Sequence, residues 1–310
     1  MAEIELLGDT DVPAELLERT KNRTGYADEF PFDSHWIRTN EGIQHYVDEG
    51  TGPPLLMVHG NPTWSFAWRR LVRELSANYR LIAIDHLGCG YSQKPQGDVY
   101  TLDQHITRLE QLVSALGLTD VTLFAHDWGG AIGMGCAGRN PELFKQFVLM
   151  NTAAFRSRRI PLRIAVCRVP LLGWFGVQWL NLFSAAAIRM AVTRPLIPAA
   201  KNGFLAPYDT VPNRRAVCEF VRDIPMKPNH RSYDTLVKVE QSLSGLTEKP
   251  MQLIWGMKDW CFSPEYLREF EQRFPRALVH EIADAGHYVF EDAANEVLEV
   301  SRRFLAANGE

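Results

Sequence analysis

The segment from Val121 to Gly130, VTLFAHDWGG, limits what this chain can fold into more than any other. β-formers lead into a turn at Ala125-His126-Asp127-Trp128-Gly129, and the small-residue run GGAIGMGCAG that follows suits a helix pressed tightly against a sheet. A strand, a sharp turn and a helix, with small residues two before and two after the apex, match the nucleophile elbow G-x-S-x-G at the top of a parallel sheet. Here the apex is Asp127. Unless burial raises its pKa strongly, a carboxylate is ionised at neutral pH and needs no base to activate it. It can displace a leaving group from carbon and form an ester that a second step must break. The competing role for Asp127 is helix N-cap, a position where Asp is also favoured, so partners elsewhere in the chain must decide.

The 310 residues are 46% hydrophobic and 23% charged, which fits one large α/β domain carrying an insertion. A net charge of −4 leaves no basic footprint for nucleic acid. Five scattered cysteines, odd in number and without CxxC or Cys/His metal spacing, read as reduced thiols. The acidic N-terminus MAEIELLGDTDVPAELLER lacks the plan of a secretory signal, and the expected location is cytoplasmic. Leu171 to Ala187 approaches membrane-span length but is interrupted by Gln178, Asn181 and two glycines, so no transmembrane segment is expected.

Residues 1–33 read as an acidic, proline-punctuated extension lying on the domain. A hairpin follows, His35 to Thr39 and Ile43 to Asp48, around Asn40-Glu41-Gly42. Buried strands at Pro54 to Gly60 and Tyr79 to Asp85 flank helical spacing at Trp64 to Leu75. Thr101 and Gln104 form a capping box for a helix that Gly117 stops. The elbow strand and its helix come next, then a strand from Phe144 to Met150 ending at Asn151. The α/β rhythm resumes with helix Tyr233 to Leu246, strand Met251 to Gly256, helix Pro264 to Phe274, strand Ala277 to Ile282 and helix Asn295 to Ala306. This alternation predicts a mostly parallel, doubly wound sheet with right-handed crossovers. Residues 155–228 break it with apolar helical pieces, many prolines and clustered arginines, and read as an inserted helical cap. The core is then 34–154 and 229–310.

Asp127, Asp259 and His287 stand in the chain order nucleophile, acid, base, each after a predicted parallel strand. His287 would deprotonate a water that attacks the Asp127 ester, and Asp259 would fix its tautomer and stabilise the imidazolium. Asp284 and Glu291 compete for the acid's role, while Asp85 precedes the elbow and reads as structural. In HGNP, Asn61 lies on the loop after the first parallel strand, where a second oxyanion donor belongs. Its amide and the Trp128 indole offer two neutral N–H donors suited to a departing halide or weakly basic oxyanion. The alternatives are a turn residue for Asn61 and core filling for Trp128. Candidate pocket residues are Trp64, Phe155, Trp174, Phe183, Tyr208, Phe262 and Tyr288.

HGNPTW, HDWGG, GMKD and AGHYVFED together resemble the haloalkane dehalogenase family of α/β-hydrolases over nearly all of residues 35–306. The resemblance implies Asp127 as nucleophile, His287 as base, Asn61 and Trp128 as the halide-stabilising pair, and no cofactor or metal ion. One dehalogenase branch places a Glu acid after the strand that here ends at Asn151, which cannot ionise, so the chain is similar to branches whose acid lies at the Asp259 position. NTAAF, APYD, RDIP and AGHYVFED further resemble a subgroup shared with β-lactone decarboxylases of long-chain olefin synthesis. Dehalogenation ranks first on this reading and lactone decarboxylation second. Epoxide hydrolysis is third, since only Tyr208 within 155–228 could serve as a cap tyrosine, and a non-catalytic ligand receptor is disfavoured by the intact Asp127, Asp259 and His287. The expected partner is a small apolar substrate, with a homo-oligomer or an olefin-pathway enzyme as further candidates. Arg156, Arg158, Arg159, Arg163 and Arg168 form a basic run whose default role is a solvated face, with a partner enzyme or anionic lipid as the alternative.

Overall fold

The computed structural model describes residues 4–309. Its strands are β1 (Glu5–Leu7), β2 (His35–Arg38), β3 (Ile43–Glu49), β4 (Pro54–Val58), β5 (Arg80–Ile84), β6 (Val121–Asp127), β7 (Phe144–Thr152), β8 (Met251–Gly256) and β9 (Leu278–Ile282). They form one sheet in the order β1-β2-β3-β5-β4-β6-β7-β8-β9. The pairs from β1 to β5 are antiparallel, and every pair from β5 through β9 is parallel. This is the mostly parallel sheet expected from the alternation of elements, in the α/β-hydrolase architecture that the resemblance implies.

The central strands β4 and β6 are apolar and buried because helices cover both faces of the sheet. One face carries α3 (Leu102–Ala115) and α4 (Trp128–Arg139), whose residues Ile106, Leu109, Ile132 and Met134 pack with Leu56, Leu123 and Leu149. The other carries α2 (Arg69–Leu75) and α13 (Ala294–Ala307), where Leu71, Val300 and Phe304 meet Leu55, Met57 and Phe124. At the start of α3 the Thr101–Gln104 capping box is formed, and Gly117 lies beyond its end at φ +59°.

The N-terminal stretch is more deeply built in than an overlying extension. β1 adds an antiparallel edge to β2, and α1 (Ala14–Lys21) buries Leu16. Tyr26 and Phe30 are buried against Trp64 and Phe66. The fully buried Arg69 guanidinium is held by Glu29 at 2.9 Å and Glu291 at 2.5 Å, clamping the N-terminal stretch to the short helix Val289–Asp292 that follows β9.

Between β7 and α10 (Tyr233–Ser242) the chain is helical: α5 (Leu162–Cys167), α6 (Leu172–Trp174) running into a π-turn at Phe175–Trp179, α7 (Leu182–Met190), α8 (Pro198–Leu205) and α9 (Arg215–Arg222). Later come α11 (Pro264–Arg273) and the short α12 (Val289–Asp292). No helix of the described residues is long and apolar enough to cross a membrane.

The β6-to-α4 elbow depends on two glycines. A Cβ on Gly129 would collide with the Val58 carbonyl of β4, and one on Gly130 with the Thr152 side chain of β7. Gly129→Ala is expected to destabilise the fold by about 1–3 kcal/mol through overpacking against backbone. Gly245→Ala, where nothing lies within 4 Å, should change stability by no more than about 0.5 kcal/mol; urea denaturation of the two variants compares them.

Candidate active site

Asp127 closes β6 with φ +54° and ψ −127°, a conformation that costs a non-glycine residue energy and holds only where its surroundings over-determine it. Here the Thr152 hydroxyl donates to the Asp127 carbonyl, and the two glycines bring α4 hard against β4 and β7. Asp127 makes no side-chain cap bond to α4. Its carboxylate instead accepts the backbone N–H of Asn61 at 2.7 Å on Oδ1, with Oδ2 3.5 Å from His287 Nε2.

His287, on the loop after β9, bonds through Nδ1 to Asp259 Oδ2 at 2.8 Å. Asp259, on the loop after β8, also accepts the Cys261 backbone N–H at 2.6 Å and the Asn151 side-chain N–H at 3.0 Å. The other carboxylates are engaged elsewhere. Asp284 faces solvent and pairs with Lys258, and Glu291 grips Arg69. Asp85 is buried against His45 and accepts the backbone N–H groups of Ser65 and Tyr91.

The charges are mutually supporting. Burial works against the imidazolium of His287, but the Asp259 charge and the hydrogen bond to Asp127 outweigh it and lift its pKa to about 10. Burial likewise works against the Asp127 carboxylate, yet His287 and the Asn61 N–H hold its pKa below the ordinary Asp value. Neighbouring His126 stays neutral: burial, then the His287 charge, push it down to about 3, and its Nε2 bonds to the His287 carbonyl at 2.9 Å.

Asn61 sits beside Asp127, and one of its side-chain N–H groups donates to the Val217 carbonyl at 3.1 Å. The Trp128 ring packs on Phe220 with centroids 5.4 Å apart and borders the cavity, and among the described residues its indole N–H has no hydrogen bond. The cavity, about 530 Å³, runs outward from Asp127 beneath α5 to α7. Phe155, Phe183, Phe262 and Tyr288 line it, with Ile164, Leu182 and Val221. Its charged lining is Asp127 and His287, plus Arg159 and Arg163.

Three expected pocket residues, Trp64, Tyr208 and Trp174, lie outside the cavity. Trp64 is wholly buried in the aromatic cluster with Phe30 and Tyr91, its indole N–H bonded to the Gly203 carbonyl at 2.9 Å. Tyr208 is buried among Val177, Val217 and Cys218, with its hydroxyl donating to the Thr63 carbonyl at 3.3 Å. Trp174 points outward, 40% exposed, and pairs edge-on with Trp179. Conversely, Asn151 carried no expected role. It stands at φ +33° at the end of β7, donates to Asp259 and to the Gly256 carbonyl, and accepts the Gly256 N–H at 2.8 Å. The cues were a polar residue at a strand's carboxyl end and its place where one dehalogenase branch carries its acid.

An α/β-hydrolase fold family model matches residues 53–294. The chain is 40% identical over 282 residues to the cis-3-alkyl-4-alkyloxetan-2-one decarboxylase of Shewanella oneidensis, covering 89% of each chain. It is 32% identical to haloalkane dehalogenase 2 of Mycobacterium bovis, covering 86% of this chain and 93% of that one. The crystal structure of the haloalkane dehalogenase DatA from Agrobacterium tumefaciens superposes with a TM-score of 0.80 at 25% identity, covering 89% of this chain and 97% of that one.

The raised pKa of His287 fixes a sign for stability. Its contribution is fully present below the unfolded value of about 6.5 and is lost as pH rises through about 10. Asp127 works in the opposite sense, its contribution being lost as pH falls through its lowered pKa. Imidazole nitrogen NMR shifts should show His287 doubly protonated at pH 8, and Asp127→Asn should move its titration downward. A neutral ring at pH 8 in the native protein would refute this charge assignment.

Proposed function

The chain belongs to the haloalkane dehalogenase family of α/β-hydrolases, in the subgroup shared with β-lactone decarboxylases, and on that footing we propose that it opens disubstituted β-lactones to an alkene and carbon dioxide. The observation that carries this reading is the Asp127 carboxylate 3.5 Å from the His287 imidazole at the inner end of an apolar cavity. A lactone with two alkyl arms needs that combination: apolar walls for the arms, an anion to attack ring carbon and a cation for the carboxylate that is released. The higher identity to decarboxylases than to dehalogenases supports ranking this reaction above dehalogenation.

In this proposal Asp127 Oδ2 attacks the ring carbon that bears the ring oxygen. The carbon–oxygen bond breaks, its electron pair stays with the freed substrate carboxylate, and an ester to Asp127 forms. The imidazolium of His287 pairs with the new carboxylate. That group leaves as carbon dioxide when its bond to the neighbouring carbon breaks; the electrons form the carbon–carbon double bond and expel Asp127 as carboxylate. No water is consumed and no net proton moves. Asp259 holds His287 in place through Nδ1, and Asn151 together with the Cys261 N–H orients Asp259.

Dehalogenation is the second reading, and the unpaired Trp128 indole N–H beside the nucleophile favours it as a halide donor. There Asp127 displaces halide and forms an alkyl ester. Esterification removes one of the two anions holding the proton on His287, so its pKa falls and it can act as base toward a water attacking the ester.

Incubation with a long-chain cis-β-lactone should yield alkene and carbon dioxide in equal amounts, and Asp127→Asn should lower the rate by about 10³-fold or more. Bromide release from 1-bromohexane that outpaces alkene formation would overturn the proposed ranking.

A further inference from the structure

Residues 155–208 contain eight arginines and lysines and no aspartate or glutamate, in a chain of net charge −4. Among the described residues, the same span carries the most exposed large apolar side chains. Leu162 and Leu171 are 79% and 81% exposed, and Leu172, Trp174, Trp179 and Leu182 range from 40% to 63%. Leu172 and Leu182 also line the cavity, so this apolar surface is the rim through which the cavity opens. Arg158, Arg163 and Arg189 on this span are exposed, and among the described residues none has a carboxylate within ion-pair distance. A contiguous exposed apolar patch with a basic border marks an interaction surface.

We propose that this face docks on an anionic lipid bilayer, with α5, α6 and the π-turn lying in the headgroup region and the cavity mouth opening toward the acyl chains. Two features select lipid as the occupant. A second copy of the chain, apposed by a twofold axis, would press one all-cationic span against another, an unfavourable juxtaposition. An anionic leaflet offers a continuous apolar layer beneath a plane of negative charge, and it favours exposed tryptophans such as Trp174 and Trp179 at its interface. Docking does not depend on the reaction catalysed. Its consequence for delivery, that an apolar substrate reaches Asp127 without crossing water, rests on the proposed function.

The test is co-sedimentation of the full chain with vesicles of phosphatidylcholine, with and without phosphatidylglycerol, and it needs no substrate. Binding is expected to the phosphatidylglycerol vesicles, with a blue shift in tryptophan emission and loss at high salt. Arg158→Glu and Arg189→Glu should each weaken it by at least about fivefold. Leu162→Asp with Leu171→Asp should abolish it while the thermal midpoint and turnover of a short, water-soluble substrate stay unchanged. Two results would overturn the proposal: no sedimentation with anionic vesicles, or binding that both variant pairs leave intact. A dimer in light scattering that Leu162→Asp with Leu171→Asp dissolves, without vesicle binding, would assign the face to a second copy instead. Failure of lactone turnover alone would leave the vesicle result standing, so the two readings fail separately.

Discussion

Two carboxylates and one imidazolium, Asp127, His287 and Asp259, buried side by side, set the terms for the rest of the structure. Removing one partner from such a group leaves an uncompensated buried charge and costs about 3–5 kcal/mol. Two anions against one cation still leave an excess negative charge, and backbone and amide N–H groups answer it: Asn61 toward Asp127, and Cys261 and Asn151 toward Asp259. These donors come from the carboxyl ends of β4, β8 and β7, while the charges sit after β6, β8 and β9. The site therefore exists only because five strands lie in one sheet with their carboxyl ends together.

The strained apex at Asp127 follows from the same requirement. A nucleophile lifted clear of the sheet needs a backbone conformation that an isolated chain would leave. Gly129, Gly130 and the Thr152 hydroxyl remove the alternatives by packing α4 directly onto β4 and β7. The strain is thus sustained by core packing, and the large apolar clusters on both sheet faces serve the chemistry at one end of it.

The helices over that end contribute in a different currency. Their apolar faces keep the dielectric low around the charge row, which strengthens each interaction in it. Their outer faces are unusual for a surface, being apolar and basic at once. The same segment thereby shapes the cavity from within and the molecule's contact with its surroundings from without.

Much of this could be read from residues alone. Strand and helix periods located β2 through β9 and their helices, because a sheet covered on both sides demands continuous apolar runs, and the Thr101–Gln104 cap is a local interaction written in four residues. The elbow was legible for the same reason, since Gly129 and Gly130 are glycines where a Cβ would meet the Val58 backbone and the Thr152 side chain. Composition also exposed the basic, acid-free stretch. Tertiary structure alone decided the remainder. Chain order and the loop after β8 favoured Asp259 over Asp284 and Glu291, but only the loop geometry after β8 and β9 shows which carboxylate meets His287. An aromatic residue type says that a side chain seeks cover but not on which side of a helix it finds it, so Trp64 and Tyr208 went to the core and Trp174 to the surface. β1 is too short to show a period, and Asn151 acts through a neighbour more than a hundred residues away. Local chemistry fixes what each residue can do; only the folded sheet fixes which residues do it together.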